Sequence, residues 1–260
     1  MKNRSKLCIF ICFIIFSFNG FADNKQQVEN LSGQSGVSKA HKTIKKESGA
    51  TTKPVKKIQY IPPFLGAPSN DRLQSMGVRS TSKQEENIFS VLTPPHTGLT
   101  TKSQPILYWF TSSPIPKSVQ HIEFVLNSEQ SIVPILRVQL SLAQKNGAHP
   151  LVLADYGIML KPEINYSWSI ALVKNSNARS NDLVSSGKIR YVNPSIVLQQ
   201  TLRQLPARKK VIAYAQAGYW YEAIKIAIDQ QTEQPENLIL LLKQNNLQLV
   251  ASYYEKKQLE

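Results

Sequence analysis

Beyond residue 22 the sequence contains no cysteine; its two, Cys8 and Cys12, both lie inside that first stretch. Disulfides, thiol nucleophiles and cysteine-ligated metals are therefore excluded from the rest of the chain. Histidine is sparse, and His41, His96, His121 and His149 stand far apart. No Gly-x-Ser-x-Gly elbow, His-Glu-x-x-His, Walker loop or Gly-x-Gly-x-x-Gly occurs. Those absences remove the familiar catalytic and nucleotide-binding templates, and no cofactor is expected. They leave a site of new design open. No segment after residue 22 approaches the ~20 consecutive apolar residues of a membrane span.

Acid is also scarce, with 17 Asp and Glu against 31 Lys and Arg, a net charge of +14. Lys2, Arg4 and Lys6 precede an apolar run from Leu7 to Phe18, and Gly20-Phe21-Ala22 supplies small residues at −3 and −1. That is the pattern of a secretory signal peptide over residues 1–22, and the apolar run is too short for an anchor. Its removal takes away three positive charges and leaves +11. The remaining lysines are scattered and not interleaved with aromatics, so no specific nucleic-acid partner is expected. An anionic surface polymer or an envelope protein fits an exported basic chain better.

Residues 23–57 are polar, lack aromatics and show no hydrophobic period, the composition of a disordered basic linker. The doublets Lys45-Lys46 and Lys56-Lys57 either dock on an acidic surface or are simply solvated. Residues 58–82, with Pro62-Pro63 and Pro68, read as an extended strap at a domain edge. Arg72 and Arg79 within it are candidate interaction residues. They meet an anion or pair with local carboxylates.

The densest apolar stretch is Ile106-Leu107-Tyr108-Trp109-Phe110. Around it, short runs are separated by Pro, Gly, Asn and Ser. Strands are expected at Ile88–Leu92, Ile106–Phe110, Val119–Leu126, Ile135–Leu142, Pro150–Ala154, Asn165–Val173 and Gly187–Val192. In Val119–Leu126 the apolar set Ile122, Phe124 and Leu126 points inward, and His121 and Glu123 point out. His121 with Glu123 reads as a solvated pair or as part of a metal or acid–base site that lacks a third ligand. About seven short strands in such a span predict an immunoglobulin-like antiparallel β-sandwich over residues 58–193, mainly β with α. Trp109 and Trp168 are expected to pack against each other between the sheets; the alternative is an exposed ligand platform.

After Pro194 the period shifts to near 3.6. A small C-terminal helical subdomain over residues 194–260 is expected. Its first helix is capped by Asn193 or Ser195 and carries Ile196, Val197, Leu198 and Leu202; its second begins at Pro206 and is ended by Gly218. A third runs over Tyr219–Gln230 and a fourth over Glu236–Asn245, after Pro235. Ala215, Gly218, Tyr221, Ala223, Ala227 and Pro235 are spaced like one tetratricopeptide-type hairpin, and a single unit must pack on something else. Trp220 on this hairpin is a candidate interaction residue, as are Arg208, Lys209 and Lys210, cations in a helix first turn where the dipole disfavours them.

Four pieces in order carry a likeness: Gly66-Ala67-Pro68 with Gly77-Val78-Arg79-Ser80; Leu92 through Gly98-Leu99-Thr100 to Tyr108-Trp109-Phe110; Leu160-Lys161-Pro162 through Tyr166-Ser167-Trp168-Ser169 to Leu172; and Tyr214 through Gly218-Tyr219-Trp220-Tyr221-Glu222-Ala223. The set resembles the bacterial domain-of-unknown-function family numbered 928. The resemblance implies an exported protein with no assigned activity, and it carries no catalytic residue over. Members of that family often hold a cysteine pair where this chain has residues around Ser80-Thr81 and Val173-Lys174. The reading is an exported, non-enzymatic binding or assembly module of the envelope. The alternatives are an envelope hydrolase or glycan-acting enzyme using loop residues such as His149, Asp155, Glu163 or Asp182, and adhesion through the basic linker.

Overall fold

A computed structural model of the chain describes residues 57–64, 88–142 and 145–260. The eight strands are β1 (Phe89–Val91), β2 (Gly98–Thr100), β3 (Ile106–Thr111), β4 (His121–Ser128), β5 (Leu136–Leu140), β6 (Gly147–Val152), β7 (Asn165–Val173) and β8 (Leu183–Tyr191). Five helices follow: α1 (Ile196–Gln204), α2 (Ala207–Gln216), α3 (Trp220–Asp229), α4 (Pro235–Gln244) and α5 (Gln248–Lys257). The fold is mixed α and β. The described linker and strap residues are 57–64 only; residues 23–56 and 65–82, including Arg72 and Arg79, lie outside the described residues.

Three strands form one sheet in the order β1-β3-β6, and five form another in the order β2-β8-β7-β4-β5. Every pairing is antiparallel except β2 with β8, which is parallel. The second sheet is therefore mixed, a departure from the all-antiparallel expectation. β2 is absent from the strands that the sequence pattern predicts. Its three residues, Gly-Leu-Thr, are too few to show an alternation. β8 begins at Leu183, four residues earlier than its sequence pattern, because Ser185 and Ser186 interrupt the apolar run. Ser185 is nonetheless buried, and its Oγ accepts the Val91 N–H at 2.9 Å.

The helix boundaries follow local chemistry. Ser195 caps α1, its Oγ accepting the Leu198 N–H at 3.2 Å. Pro206 is the N-cap of α2, and Pro235 opens α4 as its first residue. Asn246, at φ 61°, ends α4 in the left-handed region. The expected apolar face of α1 does not form: Ile196 and Val197 are each 73 % exposed, and only Leu198 and Leu202 are half-buried. The fifth helix, α5, has no counterpart in the sequence pattern. It buries only Val250, Ala251 and Tyr254, a stripe too narrow to give a clear period among its polar residues.

One hydrophobic cluster runs through both sheets, α2 to α5 and the strap residues Ile58 and Tyr60. Trp109 and Trp168 are both buried in it, as the core reading expects. They have different ring neighbours, however. Trp109 lies over His149 with centroids 4.4 Å apart and meets Phe89 edge-on, whereas Trp168 packs on Phe124. Glu123 is the other departure, being only 8 % exposed on a strand face expected to be solvated. Arg137 Nη1 at 3.1 Å and Arg179 Nη2 at 2.8 Å cover its carboxylate. Arg179 also holds Asp182.

Candidate functional site

A set of polar and aromatic residues converges on the turn between α2 and α3. Gly218 makes that turn at φ +80°, which an L side chain rarely adopts. A Cβ there would meet the Ile61 carbonyl oxygen and the Pro63 ring, each at 3.2 Å, so glycine also lets the strap pass. The strap is fixed there by a main-chain bond, Ile61 N–H donating to Ala215 O at 3.0 Å, and at the end of α4 by a side chain, Tyr60 N–H donating to Gln244 Oε1 at 2.7 Å.

The four residues after Gly218 reach four different segments. Tyr219 donates its hydroxyl to Asn193 O at 3.4 Å, ahead of α1. Trp220 donates its indole N–H to Leu92 O at 2.9 Å, just past β1. The Tyr221 hydroxyl accepts the Trp168 indole N–H at 2.9 Å, donates to Lys188 O at 3.0 Å, and sits 3.3 Å from Thr93 Oγ1. Glu222 Oε1 accepts the Thr100 hydroxyl at 2.7 Å and the Thr101 N–H at 3.0 Å. Close packing makes this possible, since a Cβ on Gly98 would lie 2.9 Å from the Tyr221 ring.

Glu222 is 6 % exposed, and its Oε2 has no hydrogen-bond partner among the described residues. Burial pushes its carboxyl up, and the bonds from Thr100 and Thr101 only partly offset that rise. The Tyr221 phenol is also raised by burial, well beyond the range in which it would ionise. Beside the turn, Tyr60 stacks on His96, with its hydroxyl 2.9 Å from Nε2, and meets Trp220 edge-on. Burial lowers the His96 imidazole, so the neutral ring is favoured, and its Nε2 accepts the Tyr60 hydroxyl when Nδ1 carries the proton. These groups bond across the seam where helices meet sheets. Donors and acceptors face one another there, and two of the groups, Glu222 and His96, have pKa values displaced by burial.

Trp220, expected at an interaction surface, is fully buried in this seam because its indole N–H has a backbone acceptor there. Arg208 is exposed on the first turn of α2 and pairs with Glu233 at 3.2 Å; Lys209 is exposed and Lys210 half-buried beside it. His149 lies on β6 against Trp109, with burial lowering its pKa. Asp182 is bound to Arg179, Glu163 to Arg190 at 2.7 Å, and Asp155 sits exposed in a single 3-10 turn, Leu153–Tyr156. Each of these acids thus has its own setting, and no group of three potential metal ligands occurs among the described residues. An open cleft of about 460 Å³ borders α5, with Ser112, Asn146, Ser252, Lys256 and Lys257 on its walls.

Sequence reading missed Tyr60, His96, Thr100 and Glu222 as members of one cluster. A signal was present for Glu222: it is the single charge in the run Tyr219-Trp220-Tyr221-Glu222-Ala223-Ile224, all of it buried. A lone carboxylate on an otherwise apolar helical stretch needs a partner.

The family model described as Domain of Unknown Function (DUF928) matches residues 74–254. No curated protein matches the chain, and no solved structure does.

Proposed function

The chain belongs to the family of the Domain of Unknown Function (DUF928), and on that premise we propose that it is an exported, non-enzymatic binding or assembly module of the bacterial envelope. In this reading its two sheets form an immunoglobulin-like sandwich, and the helices form a subdomain seated against it. The partner is an envelope protein, with anionic surface polymer as a secondary contact for the basic residues. The signal-like pattern of residues 1–22 supports export.

The observation that carries the reading is the tip between β4 and β5. Ile132 is fully exposed there and Val133 is 71 % exposed, next to Pro134 and a 40 % exposed Ile135. Isolated apolar side chains on a surface need no explanation, but three in four consecutive positions form a patch that favours a partner. The tip is also held in shape. Ser131 Oγ donates to Val133 O at 2.8 Å, and Ile135 N–H donates to Leu126 O at 2.8 Å. Asn165 braces the turn from β7, donating its N–H and Nδ2–H to the Glu129 carboxylate at 3.1 and 2.8 Å. A braced apolar tip loses little conformational freedom on binding.

The test is affinity capture from envelope fractions with the purified chain and with an Ile132→Ser, Val133→Ser double variant. The reading expects a discrete partner with the first and its loss with the second. Equal recovery by both, or no recovery by either, would overturn it. Export is checked by fractionating cells that produce the chain with Phe13→Arg; accumulation in the cytoplasm is expected, and unchanged distribution refutes the signal reading.

A further inference from the structure

β5 closes the five-stranded sheet, and among the described residues it pairs with β4 alone. One side of its backbone therefore presents N–H and C=O groups without a ladder partner, a ready template for another strand. Alternation places Leu136, Val138 and Leu140 on the core face, opposite Leu126, Phe124 and Ile122 of β4. The β4 residues are fully buried, whereas the three of β5 are only half-buried. The apolar face of the sheet thus continues to its last strand and ends there incompletely covered. Natural edges are usually blunted by proline, charge or a bulge. Here the proline, Pro134, precedes the strand, and the charge, Arg137, is turned onto Glu123 at 3.1 Å.

The sequence of the edge says what fits it. Leu136-Arg137-Val138-Gln139-Leu140 has the same apolar–polar alternation read in either direction. A two-fold contact needs a surface complementary to itself, and antiparallel strands related by an axis normal to the sheet meet that need. With the axis at Val138, each Leu136 faces the second copy's Leu140, Val138 faces itself, and each Arg137 faces a Gln139. All five residues are paired and no like charges meet. Moving the axis to Arg137 sets two guanidinium groups against each other. Moving it to Gln139 sets Leu136 opposite Leu142 of the second copy, past the end of β5. Shifts that break the two-residue parity turn one core face outward.

We propose that β5 is a self-pairing edge, through which a second copy of this chain joins the two five-stranded sheets into one of ten strands. The contact extends the core face across the axis and covers Leu136, Val138 and Leu140 from both sides. The contact stands whether or not a partner binds the hairpin tip.

Position 139 tests the proposal with a definite sign. It is exposed, and it faces Arg137 of the second copy but Glu123 of its own chain. Gln139→Lys creates two like-charge pairs per dimer, and Gln139→Glu creates two attractive ones. Sedimentation equilibrium of the purified chain should give a dimer weakened about 2- to 30-fold by the first and tightened by a similar factor by the second. Effects on the fold run the opposite way, because the introduced lysine would attract Glu123 and the introduced glutamate would repel it. A monomer at every concentration would overturn the proposal. So would a dimer indifferent to both substitutions, or one whose affinity moves in step with the thermal midpoint of the dissociated chain, measured well below the dimer's dissociation constant.

Discussion

The α2–α3 turn and the β4–β5 hairpin make opposite uses of similar side chains. At the turn, polar and aromatic groups face inward and are matched by partners from four other segments. At the hairpin, aliphatic groups face outward and have no cover, while the polar groups around them stiffen the backbone. The turn is rich in residues that look like chemistry, and its bonds hold the fold together. The hairpin looks bland, and it presents an exposed apolar surface. Residue type alone is therefore a poor guide to where a side chain points here.

That contrast orders the expected effects of substitution. Trp220→Ala empties a fully buried site and strands the Leu92 carbonyl, and should cost about 3–5 kcal/mol in chemical denaturation. Tyr221→Phe keeps the ring but removes the hydroxyl that serves Trp168 and Lys188, leaving the buried Trp168 indole N–H without its acceptor; a loss of about 1–3 kcal/mol is expected by the same measurement.

Glu222→Gln should have a smaller and pH-dependent effect. Burial raises this carboxyl above its ordinary value of 4.5. The native state therefore holds the proton more tightly than the unfolded chain does. The stability it contributes is complete below pH 4.5 and is lost as pH rises through the higher folded-state value. The wild-type minus variant difference in stability should fall over that interval. A difference that is flat with pH would mean that Glu222 does not titrate with folding. His96 acts in the opposite direction, since its lowered pKa makes stability fall as pH drops, so the difference and not the raw curve is diagnostic. Last, Ile132→Ser with Val133→Ser should change stability by no more than about 0.5 kcal/mol while abolishing capture. A large stability loss at the tip would erase the contrast between the two regions.

Local features of the fold were legible in sequence. The bounds of β7 and the left-handed Gly218 after α2 follow from alternation and cap chemistry alone, Ser195 is one of the two caps those rules offer for α1, and α4 starts at Pro235, one residue before the expected Glu236. What failed to show depends on partners distant in sequence. β2 owes its existence to β8 and α3, and Glu123 owes its burial to Arg137 and Arg179. The cluster around Glu222 joins segments that no window of sequence brings together. The aromatic density of Tyr219-Trp220-Tyr221 was visible, but the direction in which each ring points was not.

The strap has a consequence for the order in which the molecule assembles. Its bonds from Tyr60 to Gln244 and from Gln244 to Ile58 span 184 and 186 residues. Contacts of such separation close a very large loop and are made late, after the entropy of that loop has been overcome. The first described residues must therefore wait, exposed, until α4 has formed. A stop before Gln244 would leave the Tyr60 N–H without its acceptor and the Ile58 carbonyl without its donor, while the Tyr60 ring would still have His96 and Trp220 beside it. The strap thus makes the seating of residues 58 and 60 conditional on α4, across most of the length of the domain.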